Sequence, residues 1–231
     1  GDKRGIANSY YELGSLYRLQ HDSVKAAEYL ERARKIQETI GDKRGLVLSN
    51  SILAETYIDR NELGKVLPYL QEGLSLAKEI RSNELISELL TKYARYYNAV
   101  GDFSSALEFA KQARLFAEVS GNAECVRNAA EQHYVAAARL GRFRDAFESH
   151  RLFVSISDSL QNEKNNRLVL SREFAFKEER ARIEQEKKEL QFLAAAERQR
   201  RILYSLAAVA SALVVDSLLI YFSYRQKQEA N

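Results

Sequence analysis

Three histidines and one cysteine are the residues of this chain best suited to bind a metal or to act as a nucleophile, and their spacing supports neither chemistry. His21, His133 and His150 lie too far apart in sequence for a local ligand pair, and no HExxH is present. Cys125, beside Val126 on an apolar-leaning stretch, reads as a small core residue and not as a nucleophile. A single cysteine also excludes an internal disulfide framework and a cysteine-cluster zinc site. No P-loop, GxGxxG, GxSxG or kinase signature occurs. No catalytic residue, metal or cofactor is therefore expected. The 35 basic and 32 acidic residues leave a net charge of +3, too small to imply a nucleic-acid partner. What remains is recognition by polar side chains, and their placement depends on the elements that carry them.

Those elements are helices. One proline and ten glycines in 231 residues are too few for the turns of an all-β sandwich or barrel. A hydrophobic content of 45% is too high for a disordered chain. The string GDKRG stands at residues 1–5 and again at 41–45, and stepping by forty residues aligns further columns. Gly14, Ala54, Ala94 and Tyr134 share one register, and Tyr17, Tyr57, Tyr97 and Ala137 another. Ala26, Val66, Ala106 and Ala146 form a third column, Leu30, Leu70, Ala110 and His150 a fourth, and Ala33, Gly73, Ala113 and Phe153 a fifth. Small residues in these columns mark places where two antiparallel helices approach closely, with Tyr10, Tyr17 and Leu30 filling the space beside Gly14 and Ala26. His133 and His150 fall among these core positions and are expected to pack; His21 falls in a turn and is expected to be solvated.

Residues 10–33 read Y-x-x-L-G-x-x-Y…A-x-x-x-L-x-x-A, through Tyr10, Leu13, Gly14, Tyr17, Ala26, Leu30 and Ala33. This pattern resembles the tetratricopeptide repeat, a helical pair of about 34 residues. The resemblance covers residues 1–160 as four repeats of forty and implies an all-α solenoid. The six extra residues per repeat are expected to lengthen the helices and the connections between repeats. Tyr134 and His150 make the fourth copy atypical, as a terminal repeat can be. Gly-Asp at 41–42 and 101–102, Arg-Asn at 60–61 and Gly-Arg at 141–142 sit where helices stop and start. Pro68 falls in the first turns of a second helix, where a missing N–H costs little. GDKRG at the start reads as an inter-repeat linker, and with no methionine in the chain it implies a further repeat upstream.

Helical repeats of this kind bind partners on a concave face lined by the first helix of each pair. By register that face carries Asn8, Tyr11, Ser15 and Arg18, then Ser51 and Glu55, then Glu88, Thr91, Arg95 and Asn98, then Asn128 and Glu131. Family members that hold a C-terminal carboxylate use a lysine and asparagines in the columns that here read Tyr11, Ser51, Thr91, Glu131 and Ser15, Glu55, Arg95, Val135. That clamp is absent. A mixed groove of Arg18, Arg95, Glu55 and Glu88 suits a protein segment or peptide instead; ordinary solvated positions are the plain alternative.

Residues 161–201 contain no glycine or proline, and 171–190 hold twelve charged residues in twenty. Val169, Phe176, Ile183 and Leu190 recur every seven positions, one stripe of a coiled-coil seam and a candidate homodimer contact. The companion stripe is poor, reading Arg172, Glu179, Glu186 and Leu193 or Glu173, Arg180, Lys187 and Ala194. A solvated single helix held by i,i+4 ion pairs is the alternative. Residues 202–224 form an apolar run whose helix would measure roughly 34 Å, enough for a hydrocarbon core of about 30 Å. Arg198, Arg200 and Arg201 flank one end and Arg225 and Lys227 the other, with Tyr204, Tyr221 and Tyr224 at interfacial positions. A single transmembrane helix is expected, followed by a short tail at 225–231. Asp216 interrupts the run, and a helix lying in the membrane interface is the alternative.

This order of parts, with SDSLQNEKNNRL at 157–168 between repeats and charged helix, resembles the sensor half of membrane-anchored signalling proteins of Bacteroidetes type. The linker positions Asp158, Ser159, Leu160, Asn162 and Glu163 carry that likeness. It implies a non-catalytic sensor that passes a signal through stalk and span to a histidine-kinase, cyclase or DNA-binding output beyond residue 231. It also implies a single-pass inner-membrane protein with periplasmic repeats. The basic residues Lys187, Lys188, Arg198, Arg200 and Arg201 on the repeat side argue for the opposite orientation by the positive-inside rule. A membrane-anchored scaffold that assembles partners without signalling is the alternative function.

Overall fold

The computed structural model describes the backbone of residues 2–229 and the side chains of residues 2–220. The side chains of Tyr221, Tyr224, Arg225 and Lys227, expected to bound the span, lie outside the described residues. Among the described residues there are eight α-helices, one 3-10 turn and no strand. The helices are α1 (Lys3–Leu19), α2 (Ser23–Ile40), α3 (Lys43–Asp59), α4 (Val66–Glu79), α5 (Asn83–Val100), α6 (Phe103–Ser120), α7 (Ala123–Arg139) and α8 (Phe143–Glu229). First helices start at Lys3, Lys43, Asn83 and Ala123, forty residues apart. Second helices start at Ser23, Phe103 and Phe143 in the same step, with the 3-10 turn Leu63–Lys65 opening the remaining one.

A finer punctuation sets these boundaries. A residue in the left-handed backbone region recurs every twenty positions: His21, Gly41, Asn61, Arg81, Gly101, Gly121 and Gly141, with φ between 55° and 83°. The residue that follows usually caps the next helix. Asp22, Asp42, Ser82 and Asp102 accept from the backbone N–H three residues on, and Asn122 accepts from Glu124 and Cys125. Such a turn reverses the chain in two or three residues, so the expected lengthening of the connections is not found. The extra length lies in the helices, of which α1 to α3 and α5 to α7 run 17 or 18 residues. At the next step of twenty stand Gln161 and Asn162, and there α8 does not stop.

The repeat columns are the core. Ala26, Leu30, Ala33, Ala54, Val66, Leu70, Ala94, Ala106, Ala110 and Ala113 are all fully buried. Gly14 is required where α1 crosses α2: a Cβ there would lie 2.6 Å from Leu30 Cγ and 3.2 Å from the Ala26 carbonyl oxygen. Tyr17 stacks on Tyr29 with ring centroids 5.3 Å apart, and Tyr10 meets the same ring at 6.0 Å. Each leucine removed from water here contributes roughly 1.5–3 kcal/mol, and Leu30, Leu53, Leu70 and Leu89 are completely buried.

The fourth pair departs from the pattern. His150, expected to pack in the column of Leu30 and Leu70, is exposed. The large Tyr134 ring replaces the small residue opposite it, and the imidazole lies against that ring edge-on at 5.0 Å. His133 is half-buried and its Nδ1 sits 2.8 Å from Ser149 Oγ. Burial first, then the charges of Lys111 and Arg114, lower its pKa. Cys125 is buried, and burial foremost pushes its thiol pKa up to about 11, in keeping with packing and not attack. His21 is exposed, in a turn.

The chain divides into two compact units, residues 1–164 and 165–231. The first holds the four helical pairs. In the second, Val169, Phe176, Ile183 and Leu190 are all exposed, as are the ion pairs Lys188–Glu184 and Arg182–Glu186, four residues apart. Among the described residues one helix is long and apolar enough to cross a membrane.

Candidate functional site

The site is assembled from one face of each first helix. On α3, Glu55 and Asp59 stand one turn apart and so share a face; on α5, Lys92 and Arg95 do the same. Glu55 accepts from Lys92 Nζ at 2.7 Å and from Arg95 Nη1 at 2.8 Å. The other arm of the Arg95 fork donates to Asp59 at 2.6 Å. Arg18 of α1 faces both carboxylates from further away, 3.6 Å from Glu55 and 3.7 Å from Asp59. Its Nε is buried without a hydrogen-bond partner. Three cations thus converge on two carboxylates. Burial alone would push the Glu55 carboxyl up, but Lys92 first, then Arg18 and Arg95, outweigh it and hold it below the ordinary glutamate range.

α7 extends this face with Glu124, Arg127, Asn128, Glu131 and Gln132. Together with Arg18, Glu55, Thr91, Lys92 and Arg95 they line one cavity of about 470 Å³, to which all four first helices contribute. Arg127 donates to Asn128 Oδ1 at 2.8 Å and to Glu124 at 3.2 Å. Asn98 Nδ2 donates to the Gln132 side chain at 3.1 Å and to its carbonyl at 3.3 Å, while Asn98 Oδ1 is buried without a partner.

Of the residues expected in the groove, the structure brings Arg18, Glu55, Thr91, Arg95, Asn128 and Glu131 together in this cavity. Ser51 is buried instead and donates to Glu88 at 2.6 Å, so this pair and Asn98 join neighbouring first helices and do not line the cavity. Tyr11 is half-buried against the core, and burial, then Glu88, raises its pKa. Ser15 is half-buried, and Asn8 is exposed outside the cavity. Asp59, Lys92, Glu124, Arg127 and Gln132 were not expected. The available signal was their three- and four-residue spacing from Glu55, Arg95, Asn128 and Glu131 along the same faces. A surface so rich in fixed donors and acceptors of both signs can hold an extended polar chain.

No family model matches the sequence, and no curated protein matches it. Solved structures do. Apo RapI superposes with a TM-score of 0.64 at 18% identity, over 72% of this chain and 61% of that one. A Rap protein complexed with Competence and Sporulation Factor gives 0.66 at 16% identity, over 70% of this chain and 45% of that one. The chain thus spans less than two thirds of the length of these two neighbours. A Podosopora anserina putative kinesin light chain with nearly identical TPR-like repeats gives 0.50 at 20% identity, over 67% of this chain and 76% of that one. At these identities the likeness concerns fold, and the fold of the repeat region is of tetratricopeptide type.

Proposed function

We propose that residues 1–160 form the polypeptide-binding part of a membrane-anchored signalling protein, and that the groove between the first helices holds the ligand. The observation that carries this reading is the cavity lined from all four first helices by charges of both signs, Arg18, Lys92, Arg95 and Arg127 with Glu55, Glu124 and Glu131, in which Arg18 keeps an unpartnered Nε. A bound Rap structure of the same fold supports a ligand-binding role. Residues 202–224 are the span, supported by a helix of sufficient length and apolarity and by Arg198, Arg200 and Arg201 beside it. The charged stretch 161–201 is the stalk, with Val169, Phe176, Ile183 and Leu190 as the contact between two copies. The likeness to sensor halves supports a periplasmic repeat region and an output module on the other side of the membrane.

The binding role is tested by selecting peptides from a random displayed library on the full chain in lipid nanodiscs. Selected peptides are expected to lose at least tenfold in affinity on Arg95→Glu, which sets a third carboxylate against Glu55 and Asp59. Because that change also strains the fold, Glu131→Lys serves as the second variant, on a partly exposed cavity residue of α7. Peptides that bind both variants as tightly as the original chain would contradict the reading.

A further inference from the structure

The charges of the groove pair off unevenly. Lys92 and Arg95 of α5 donate to Glu55 and Asp59 of α3 at 2.6 to 2.8 Å. Glu88, outside the cavity, is held by Ser51. Arg127 of α7 could reach Glu131, four residues on along the same face, but turns to Asn128 and Glu124 instead. Two groups are left over. The Arg18 guanidinium makes no hydrogen bond among the described residues, and stands 3.6 and 3.7 Å from carboxylates that α5 already holds. The Glu131 carboxylate, partly exposed in the same cavity, has neither an ion-pair nor a hydrogen-bond partner among the described residues. Arg18 is on the first and Glu131 on the last of the four first helices, so the cavity has two ends of opposite sign. Where α1, α3 and α5 meet, three cations stand against Glu55 and, beside the cavity, Asp59. On α7 two carboxylates, Glu124 and Glu131, stand against Arg127.

We infer that the groove binds its polypeptide segment in one direction, seating a basic side chain on Glu131 and an acidic side chain against Arg18. This deepens the assignment of the groove to a polypeptide ligand and rests on it. A cation brought to Glu131 meets a carboxylate with no competing partner, so no existing bond is broken. An anion brought to Lys92 or Arg95 would have to compete with Glu55 and Asp59; at Arg18 it meets donors that are still free to bond. A segment entering in the reverse sense sets a cation beside Arg18 and a carboxylate beside Glu131. Such like-charge contacts reject a ligand more sharply than the matching contacts attract one.

The test takes peptides selected on the full chain in nanodiscs, resynthesised with acetylated and amidated ends so that only side chains carry charge. Each is expected to hold a lysine or arginine and, apart from it, an aspartate or glutamate. Replacing the basic residue by glutamate is expected to weaken binding about tenfold. Glu131→Lys is expected to weaken the original peptide to a similar degree and to restore the glutamate-bearing one, an exchange that a merely structural role would not produce. Because Glu131 has no partner to lose, the unfolding midpoint is expected to stay unmoved. A peptide with its basic and acidic residues interchanged is expected to bind the original chain about tenfold more weakly. Peptides that lose affinity on Arg95→Glu yet are indifferent to their own charges would overturn the inference and leave the groove a polypeptide site. So would a glutamate-bearing peptide that Glu131→Lys does not restore, or an interchanged peptide that binds as tightly as the original. Peptides that ignore both Arg95→Glu and Glu131→Lys would overturn the inference and the polypeptide site together.

Discussion

Leu89→Ala is expected to destabilise the repeat region by about 2–5 kcal/mol. Leu89 has no exposed surface and lies in the largest core cluster with Leu53, Leu70, Leu85 and Leu90. Its methyl carbons lie 3.1 and 3.4 Å from where a Cβ on Gly73 would be, so the side chain fills the crossing of α4 and α5. Truncation leaves a cavity that the two backbones, already in close approach, cannot collapse to fill. Leu115→Ala removes the same atoms from a side chain on α6 that is 62% exposed and is expected to change stability by less than about 0.5 kcal/mol. Urea unfolding followed by circular dichroism separates the two. Equal midpoints for both variants would contradict the packing described here.

Glu55→Ala is expected to cost about 1–3 kcal/mol at neutral pH, less than a fully dry ion pair because the site is partly wet. It leaves the side chains of Lys92, Arg95 and Arg18, respectively 17%, 36% and 28% exposed, facing one another without their shared carboxylate. The cost carries a pH signature. Glu55 titrates below the ordinary glutamate range in the folded chain, so its contribution is present above that range and is lost as pH falls through the lower folded value. The gap in unfolding midpoint between the original chain and Glu55→Ala is therefore expected to be full at pH 7 and to close at strongly acidic pH. A gap that stays constant on acidification would show that Glu55 acts by packing alone. Removing Lys92 together with Glu55, as Lys92→Met, is expected to recover part of the loss, since one uncompensated cation goes with it.

The forty-residue architecture was legible because its columns answer to a steric demand. Where α1 crosses α2, only Gly14 fits, and alanine recurs at the equivalent positions Ala54 and Ala94. The twenty-residue punctuation was not legible in the same way. Glycine marks it at Gly41, Gly101, Gly121 and Gly141, but His21, Asn61 and Arg81 adopt the same left-handed backbone. A non-glycine residue there costs roughly 1–2 kcal/mol, offset by the helices on either side and by caps such as Asp22 and Ser82, so composition alone hides it. His150 misled because its column is buried only while the residue opposite is small; Tyr134 changes that locally.

The groove was half legible for a related reason. Helical register shows which residues share a face of one helix, and so found Arg18, Glu55 and Arg95. Which charges meet across helices depends on how α1, α3 and α5 stack. Lys92 aligns with Ile52 and Gln132 in its column, so nothing in the repeat pattern marks it as the partner of Glu55. Asp59 aligns with Leu19 and Ala99 and is hidden in the same manner.

The proposed function joins binding in the groove to a response in the stalk, and one measurement addresses that link. Single cysteines are placed along residues 165–195 of the full chain in nanodiscs, in a Cys125→Ser background, and crosslinked with and without a peptide selected on the groove. The account predicts efficiency peaking every three to four residues around Val169, Phe176, Ile183 and Leu190, with peptide shifting the size or phase of those peaks. A flat, low profile that the peptide leaves unchanged would contradict it, and would leave a membrane-anchored repeat that binds its partner and relays nothing.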